Sequence, residues 1–228
     1  MKALSVIEAI LRNRYPYFAE IRDNVALRSK LSAMLLTSVV LSAIYGAVLG
    51  STHSVLQALS SAAKLPILFL ATLAICSPTL YFFQILFGSR QTIGQSFALM
   101  LTAITVTSVL LVSFAPVILF FLLTTADYQL FKLLNVGVFA IAGLRGVAFL
   151  SEGIKIVAAN EQGAATRRGV VRAWVVLYGL VGSQMAWALR PFVGAPSLPF
   201  ELFRNLGGSF YANVFASLGE ILGFWAVR

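Results

Sequence analysis

The sequence predicts an all-α integral membrane protein, a bundle of five transmembrane helices with amphipathic interfacial helices at both ends. Two observations predict this class. Of the 228 residues, 59% are hydrophobic and only 11% are charged, whereas a soluble domain carries about 25% charged residues. The apolar residues also form five long stretches without a charge near their centres. Each stretch has about the 20 residues that a helix needs to cross a bilayer.

Composition divides the chain into three parts. Residues 1–30 form a charged amphipathic arm, expected in the cytoplasm or the membrane interface, and residues 31–189 form the five-helix transmembrane bundle. Residues 190–228 form an irregular aromatic tail with a terminal amphipathic helix. The predicted spans are residues 31–49, 65–87, 97–123, 131–150 and 170–189.

The N-terminal arm is predicted to begin with a helix that has one apolar face. Residues 15–18 (Tyr-Pro-Tyr-Phe) are predicted to break this helix and to offer aromatic groups to the headgroup region. We expect the arm to lie on the membrane, with Arg12 and Arg14 contacting a partner or lipid headgroups. The alternative is a soluble arm that docks on another protein. The apolar residues that recur at helical spacing are Leu4, Ile7, Ile10 and Leu11.

Small residues recur every fourth position along the first span, at Ser38, Ser42, Gly46 and Gly50. They share one face of a helix, and such a face lets two helices approach closely in a membrane. The stripe therefore predicts a helix-packing interface. Its partner is either another helix of the same chain or a second protein.

Pro78 and Pro116 lie inside the second and third spans and predict helix kinks. Interrupted helices at mid-membrane can mark transport sites, although a kink that serves packing alone is the simpler interpretation. The hydroxyls of Thr102, Thr105 and Ser108 are spaced by three residues in the third span. They either line a polar path or bond to carbonyl groups of their own helix.

The connections and the C-terminal part carry further predictions. Residues 51–63 are predicted to form a short amphipathic helix at the membrane surface. Residues 190–208 are irregular, basic and aromatic, and we expect Arg190, Phe192 and Arg204 to contact a partner or lipid headgroups. Residues 209–227 are predicted to form an amphipathic helix, because the stretch is short and contains Glu220. The alternative is a sixth span, which would return the C-terminus to the cytoplasm.

The residues that carry chemistry are sparse. The chain has one cysteine, Cys76, one histidine, His53, and eight scattered acids. We therefore expect no catalytic residue, no metal and no cofactor, and no enzymatic activity. The net charge of +9 comes from bases beside apolar segments, which favours anionic lipids as partners over nucleic acid. Other membrane proteins, or a second copy of the chain, are the expected protein partners.

Lysine and arginine residues are unevenly distributed around the predicted spans. About twelve lie on the side of the N-terminal arm and about five on the other side. Because positive loops stay in the cytoplasm, this bias predicts a cytoplasmic N-terminus and an outer C-terminus. A bacterial inner membrane is the expected location.

Three short segments in the first 150 residues share a pattern with a known family. They are Tyr45-Gly46 with Gly50, Lys64-Leu65-Pro66 with Leu68-Phe69, and Pro78 to Tyr81 with Gly88-Ser89. In these segments the chain resembles bacterial Yip1-like membrane proteins, which are related to a eukaryotic family of Golgi and vesicle proteins. The resemblance implies a five-helix bundle with a cytoplasmic N-terminal region, action through protein partners and no catalytic residues. Residues 190–204 are not part of the family's pattern.

These observations lead to three functional hypotheses. The first is a non-enzymatic membrane protein that acts as a scaffold, an assembly factor or an accessory subunit of a larger membrane complex. The second is a small transporter or channel component, which the prolines and the hydroxyls of the third span would serve. The third is a membrane protein that binds anionic lipids through its basic arm.

Overall fold

The computed structural model describes residues 3–86, 91–124, 128–158, 164–194, 199–203 and 208–221. Within these ranges the chain forms helices and no strand, so the predicted all-α class is confirmed. In chain order the helices are α1 Ala3–Arg12, α2 Arg14–Arg22, α3 Leu27–Gly50, α4 Val55–Leu86, α5 Ile93–Thr124, α6 Tyr128–Val157, α7 Ala164–Ala188 and α8 Phe210–Ile221.

Four helices of the described ranges, α3 to α6, are long and apolar enough to cross a membrane. The predicted fifth span overlaps α7, which is long enough to cross a membrane with its 25 residues but is not among the candidate spans. Arg172, Ser183 and Gln184 lower the mean hydropathy of this helix. Each of the five predicted spans therefore overlaps a helix, and four of these helices in the described ranges are candidate spans, so the predicted count of five is not confirmed.

The bundle is built around α3, α4, α5 and α6. Helix α3 packs against both α4 and α5, α5 packs against α6, and α7 packs against α4. Helices α3 and α4 run antiparallel, because Gly46 lies against Ser61 and Gly50 against Gln57. Two apolar clusters form the core: one near the arm, around Leu99, and one at the opposite end, around residues such as Phe131.

The N-terminal arm packs into the bundle. Helix α1 contacts α3 and α5, and α2 contacts α5 and α6. The apolar face predicted for α1 is only partly inward: Ile10 is buried, Ile7 is half-buried and Leu11 is exposed. The buried apolar residues of the arm are Val6, Ile10, Tyr17, Phe18 and Ile21.

Two predicted helix boundaries are wrong. The break in the arm lies at Asn13, and α2 runs through Pro16. Pro16 is the third residue of α2, where a backbone N–H has no partner within the helix, so proline is tolerated there. Residues 51–63 form no separate surface helix, since α4 begins at Val55 and continues to Leu86. The Ser54 hydroxyl accepts a hydrogen bond from the Gln57 N–H at 3.1 Å and caps this start.

Candidate functional site

Two small residues of the first predicted span, Gly46 and Gly50, pack against another helix of the same chain. Ser38, Ser42, Gly46 and Gly50 are all buried. A Cβ atom on Gly46 would collide with the carbonyl group of Ser61, and one on Gly50 would collide with that of Gln57. The two glycines therefore allow the backbones of α3 and α4 to touch.

A row of polar side chains lies on α4 beside this contact. Gln57, Ser61 and Lys64 are four and then three residues apart, so they share one helix face. Only 1%, 0% and 3% of their respective surfaces is exposed. We call these three residues the donor row. Because buried polar groups need partners, the donor row requires hydrogen-bond acceptors nearby.

The acceptors belong to the segment after α7. We call residues 190–194 and 199–203 the docked tail. Gln57 Nε2 donates to the Pro191 carbonyl oxygen at 2.8 Å, and Ser61 Oγ donates to the Phe192 carbonyl oxygen at 2.6 Å. Lys64 Nζ donates to the carbonyl oxygens of Pro191, at 3.3 Å, and of Leu202. The donor row thus holds two separate parts of the docked tail by their main chain.

The Lys64 ammonium group is surrounded by neutral groups. Besides the two carbonyl oxygens, the ring of Phe203 lies 4.8 Å from Nζ, a distance typical of a cation–π contact. The ion pairs among the described residues do not include Lys64. Lys30 is equally buried, but it pairs with the carboxylate of Glu20 at 2.5 Å.

The docked tail also covers the turn between α3 and α4. A Cβ on Gly194 would collide with the imidazole ring of His53, so this close approach requires a glycine. The Nδ1 atom of His53 lies 3.3 Å from the Ser54 hydroxyl. No group of three or more His, Cys, Asp or Glu side chains that could hold a metal lies within the described ranges.

The predicted contact residues of the tail fall in different environments. The guanidinium group of Arg190 stacks on the ring of Trp187, 3.5 Å from its centroid. Phe192 is half-buried and packs against the second apolar cluster. Arg204 lies outside the described residues. The donor row was not predicted from the sequence. The signal that could have found it is the helical spacing of three polar residues, Gln57, Ser61 and Lys64, in a largely apolar segment.

The predicted contact residues of the arm are engaged within the chain. Arg12 pairs with Glu8 at 3.3 Å on the surface of α1. Arg14 pairs with Glu152 of α6 at 3.6 Å, and its guanidinium group lies 4.5 Å from the centroid of the Phe149 ring. These contacts fix the arm on α6.

Tyr17 forms a polar contact between the arm and the core. Its hydroxyl donates to the Met34 sulfur at 2.9 Å and contacts the Thr102 hydroxyl at 3.1 Å. Burial raises the pKa of Tyr17 to about 12, because the phenolate form would lose its hydration.

The hydroxyls predicted in the third span point into the bundle. Thr102, Thr105 and Ser108 are buried in α5. Thr102 and Thr105 each donate to the carbonyl oxygen four residues earlier, at 2.8 Å, as hydroxyls in helices commonly do. Pro78 and Pro116 lie within α4 and α5, and both helices continue past them.

Comparisons with known proteins do not assign a function. The chain matches no family model, no curated protein and no solved structure. The resemblance to Yip1-like proteins therefore remains a prediction.

Proposed function

We propose that the chain is an integral membrane protein that acts as a non-enzymatic scaffold, assembly factor or accessory subunit of a larger membrane complex. The observation that supports membrane embedding is the distribution of polar and apolar side chains. Polar side chains are buried inside the bundle, and large apolar side chains cover its outside. This is the reverse of what water selects, and it suits a lipid solvent.

Both halves of this pattern recur along the four long helices. Leu123 of α5 is 85% exposed. Other large apolar side chains that face outward are Leu36, Ile75, Phe82, Phe120 and Leu144. Polar side chains that are buried are Thr37, Ser42, Gln57, Ser61, Lys64, Thr72, Gln84, Thr102, Thr105 and Asn135.

The course of α7 supports a fifth crossing. Close to its middle, Trp174 Nε1 donates to the carbonyl oxygen of Cys76 in the second half of α4, at 2.9 Å. Beyond its end, Pro191 and Phe192 contact Gln57 and Ser61 in the first turns of α4. Helix α7 therefore runs antiparallel along α4. With five crossings and the bias of positive charge, the N-terminus is cytoplasmic and the C-terminus lies outside a bacterial inner membrane.

A scaffold or accessory role is favoured over a transport path by the contacts of the polar groups. The hydroxyl protons of Thr102 and Thr105 are donated to carbonyl oxygens of α5. The Ser108 hydroxyl is buried without a partner among the described residues, so a solute would find one free hydroxyl donor in this row rather than three. The surface offered to a protein partner is at the end where the docked tail lies. Phe203 of the docked tail and Phe215 of α8 are exposed aromatic groups there. Aromatic side chains are enriched in protein interfaces.

Helix α8 is fixed at the same end of the bundle. Lys132 Nζ of α6 donates to Asn213 Oδ1 at 3.0 Å, and the hydroxyls of Ser183 and Tyr211 lie 2.8 Å apart. The position of α8 relative to α6 and α7 is therefore fixed, so a partner would bind α8 as part of the folded bundle.

Two experiments test the proposal. Alkaline carbonate extraction of membranes from expressing cells should leave the chain in the pellet, and its release into the supernatant would contradict membrane embedding. Chemical cross-linking followed by mild solubilisation should then recover a stoichiometric partner. Phe203→Ala and Phe215→Ala should reduce this recovery, whereas the matched change Leu144→Ala on the side of the bundle should not. Equal recovery from all three variants would contradict a partner surface at this end.

A further inference from the structure

We propose that the donor row is an anion site, in which the docked tail and the phosphate of an anionic phospholipid compete for Gln57, Ser61 and Lys64. This inference rests on the membrane embedding proposed above. It assigns a binding site, a ligand class and a conformational response to the donor row. The packing of the helices alone does not explain why these three polar residues are buried on α4.

The first argument is convergence. Three hydrogen-bond donors at successive turns of α4 meet main-chain oxygens of one segment, at 2.8 Å from Gln57 Nε2 and 2.6 Å from Ser61 Oγ. Lys64 Nζ reaches Pro191 and Leu202 in the same place. Donors that meet in this way around oxygen atoms also suit the oxygens of a phosphate group.

The second argument is charge. A buried cation without a counter-ion is unfavourable, because neutral carbonyl groups replace its hydration only in part. Lys30 shows the other solution in the same chain, since it has the Glu20 carboxylate as its partner. The bonds from Lys64 to carbonyl oxygens already have an ionised donor, so a phosphate adds the negative charge of the acceptor rather than a stronger class of donor. That charge would give Lys64 a counter-ion, as the Glu20 carboxylate does for Lys30, and this allows a phosphate oxygen to compete with the carbonyl oxygens.

The third argument is the shallow attachment of residues 199–203 of the docked tail. Leu202 and Phe203 are more than half exposed, so one side of this part is uncovered. Residues 191–194 are held more firmly, because Phe192 and Val193 pack against the second apolar cluster and Gly194 lies against His53. Displacement therefore breaks few contacts at residues 199–203 and uncovers part of the cluster at residues 191–194.

The fourth argument is location. Lys64 directly precedes the apolar stretch of residues 65–83 in α4. Gln57 lies against Gly50, the last residue of α3, so the donor row begins at the end of this helix pair and Lys64 lies about two turns inside it. In an embedded bundle, a lipid phosphate would enter from that end, where the headgroups lie. An anionic phospholipid is therefore the phosphate source nearest to the donor row.

Hydrogen exchange of the full chain in nanodiscs tests the inference. Peptides from residues 190–203 are followed in phosphatidylcholine alone and in phosphatidylcholine with phosphatidylglycerol. In the wild type, we expect phosphatidylglycerol to raise exchange of these peptides about tenfold, because the tail leaves the donor row. Lys64→Met should exchange fast in both lipids and show no response. Lys64→Arg should keep the response, and Lys155→Met, which changes an exposed lysine of α6, should behave as the wild type.

Three results would overturn the inference. One is unchanged exchange of residues 190–203 when phosphatidylglycerol is added to the wild type. Another is a lipid response that persists in Lys64→Met. The third is an equal response to inorganic phosphate in phosphatidylcholine nanodiscs, which would assign the site to free anions. Ser61→Ala removes one neutral donor and should raise tail exchange modestly, so it replaces Lys64→Met if that variant does not fold. Failure of membrane embedding would differ from all of these, because the chain would then not co-purify with the nanodiscs.

Discussion

The Tyr45 hydroxyl donates a hydrogen bond to Asn135 Oδ1 at 2.8 Å, between the buried faces of α3 and α6. Asn135 Nδ2 in turn donates to the Phe131 carbonyl oxygen at 2.8 Å. This pair joins the N-terminal and C-terminal halves of the four-helix core. Tyr45→Phe removes the donor and leaves the Asn135 oxygen buried without it.

We expect Tyr45→Phe to lower the free energy of unfolding by about 1–2 kcal/mol, the effect of an unsatisfied buried acceptor. Denaturant titration in detergent, followed by intrinsic fluorescence, measures the change. Tyr211→Phe is the matched control, because the Tyr211–Ser183 contact is exposed and its loss should have a smaller effect. A larger loss for Tyr211→Phe would contradict the importance of the buried pair.

Gly46→Ala should destabilise the bundle, because its new methyl group would collide with the Ser61 backbone across the α3–α4 contact. Overpacking of this kind lowers stability by about 1–3 kcal/mol. Gly143→Ala is the control, since nothing lies within 4 Å of a Cβ built there. It should be neutral or slightly stabilising, because alanine favours a helix over glycine. Thermal unfolding of both variants in the same detergent gives the comparison, and equal midpoints would contradict the close contact.

Glu20→Gln should weaken the attachment of the arm, because Lys30 would then be a buried cation without a carboxylate partner. The Glu20 side chain is half exposed, so we expect a loss of about 1–2 kcal/mol rather than the larger effect of a fully buried pair. Glu8→Gln breaks an exposed pair with Arg12 and serves as the control. Limited proteolysis of residues 3–26 should be faster in Glu20→Gln alone, and equal rates in both variants would count against this role for Lys30.

The stability of the fold should decrease at alkaline pH because of Tyr17. The pKa of Tyr17 is about 12 in the folded chain against 10.0 for a free tyrosine. Between these two values the unfolded chain loses this proton and the folded chain keeps it, so stability falls as pH rises from 10 to 12. The full contribution is about 2–3 kcal/mol. Unfolding titrations at pH 9 and pH 12 should show a smaller loss in Tyr17→Phe, and an equal loss would exclude Tyr17 as the cause.

The helical segments could be predicted because long apolar stretches are a strong local signal. Their contacts could not, because contacts depend on which helices meet. The stripe from Ser38 to Gly50 predicted close packing but did not identify α4 as the partner. The donor row was not predicted because its three residues were expected in different elements. The sequence predicts a separate helix over residues 51–63, which would contain Gln57 and Ser61 but not Lys64.

The fold of the arm also depends on contacts that its local sequence does not show. The sequence predicts a helix break around Pro16, although a proline in the first turn of a helix is compatible with that helix. Nothing local in the arm predicts its burial, because the partners of Tyr17 and Phe18 lie in α3, α5 and α6. For Tyr17 the partners are Met34 and Thr102.

The burial of Phe18 has a consequence for synthesis. Its ring lies against Gly153 of α6, at a point where a Cβ would collide with it. The arm leaves the ribosome first, but this contact forms only after α6 has been made. The side of Phe18 that meets Gly153 therefore stays uncovered while α3, α4 and α5 are made. A chain truncated before α6 would leave this aromatic surface exposed, which makes it a substrate for chaperones and proteases.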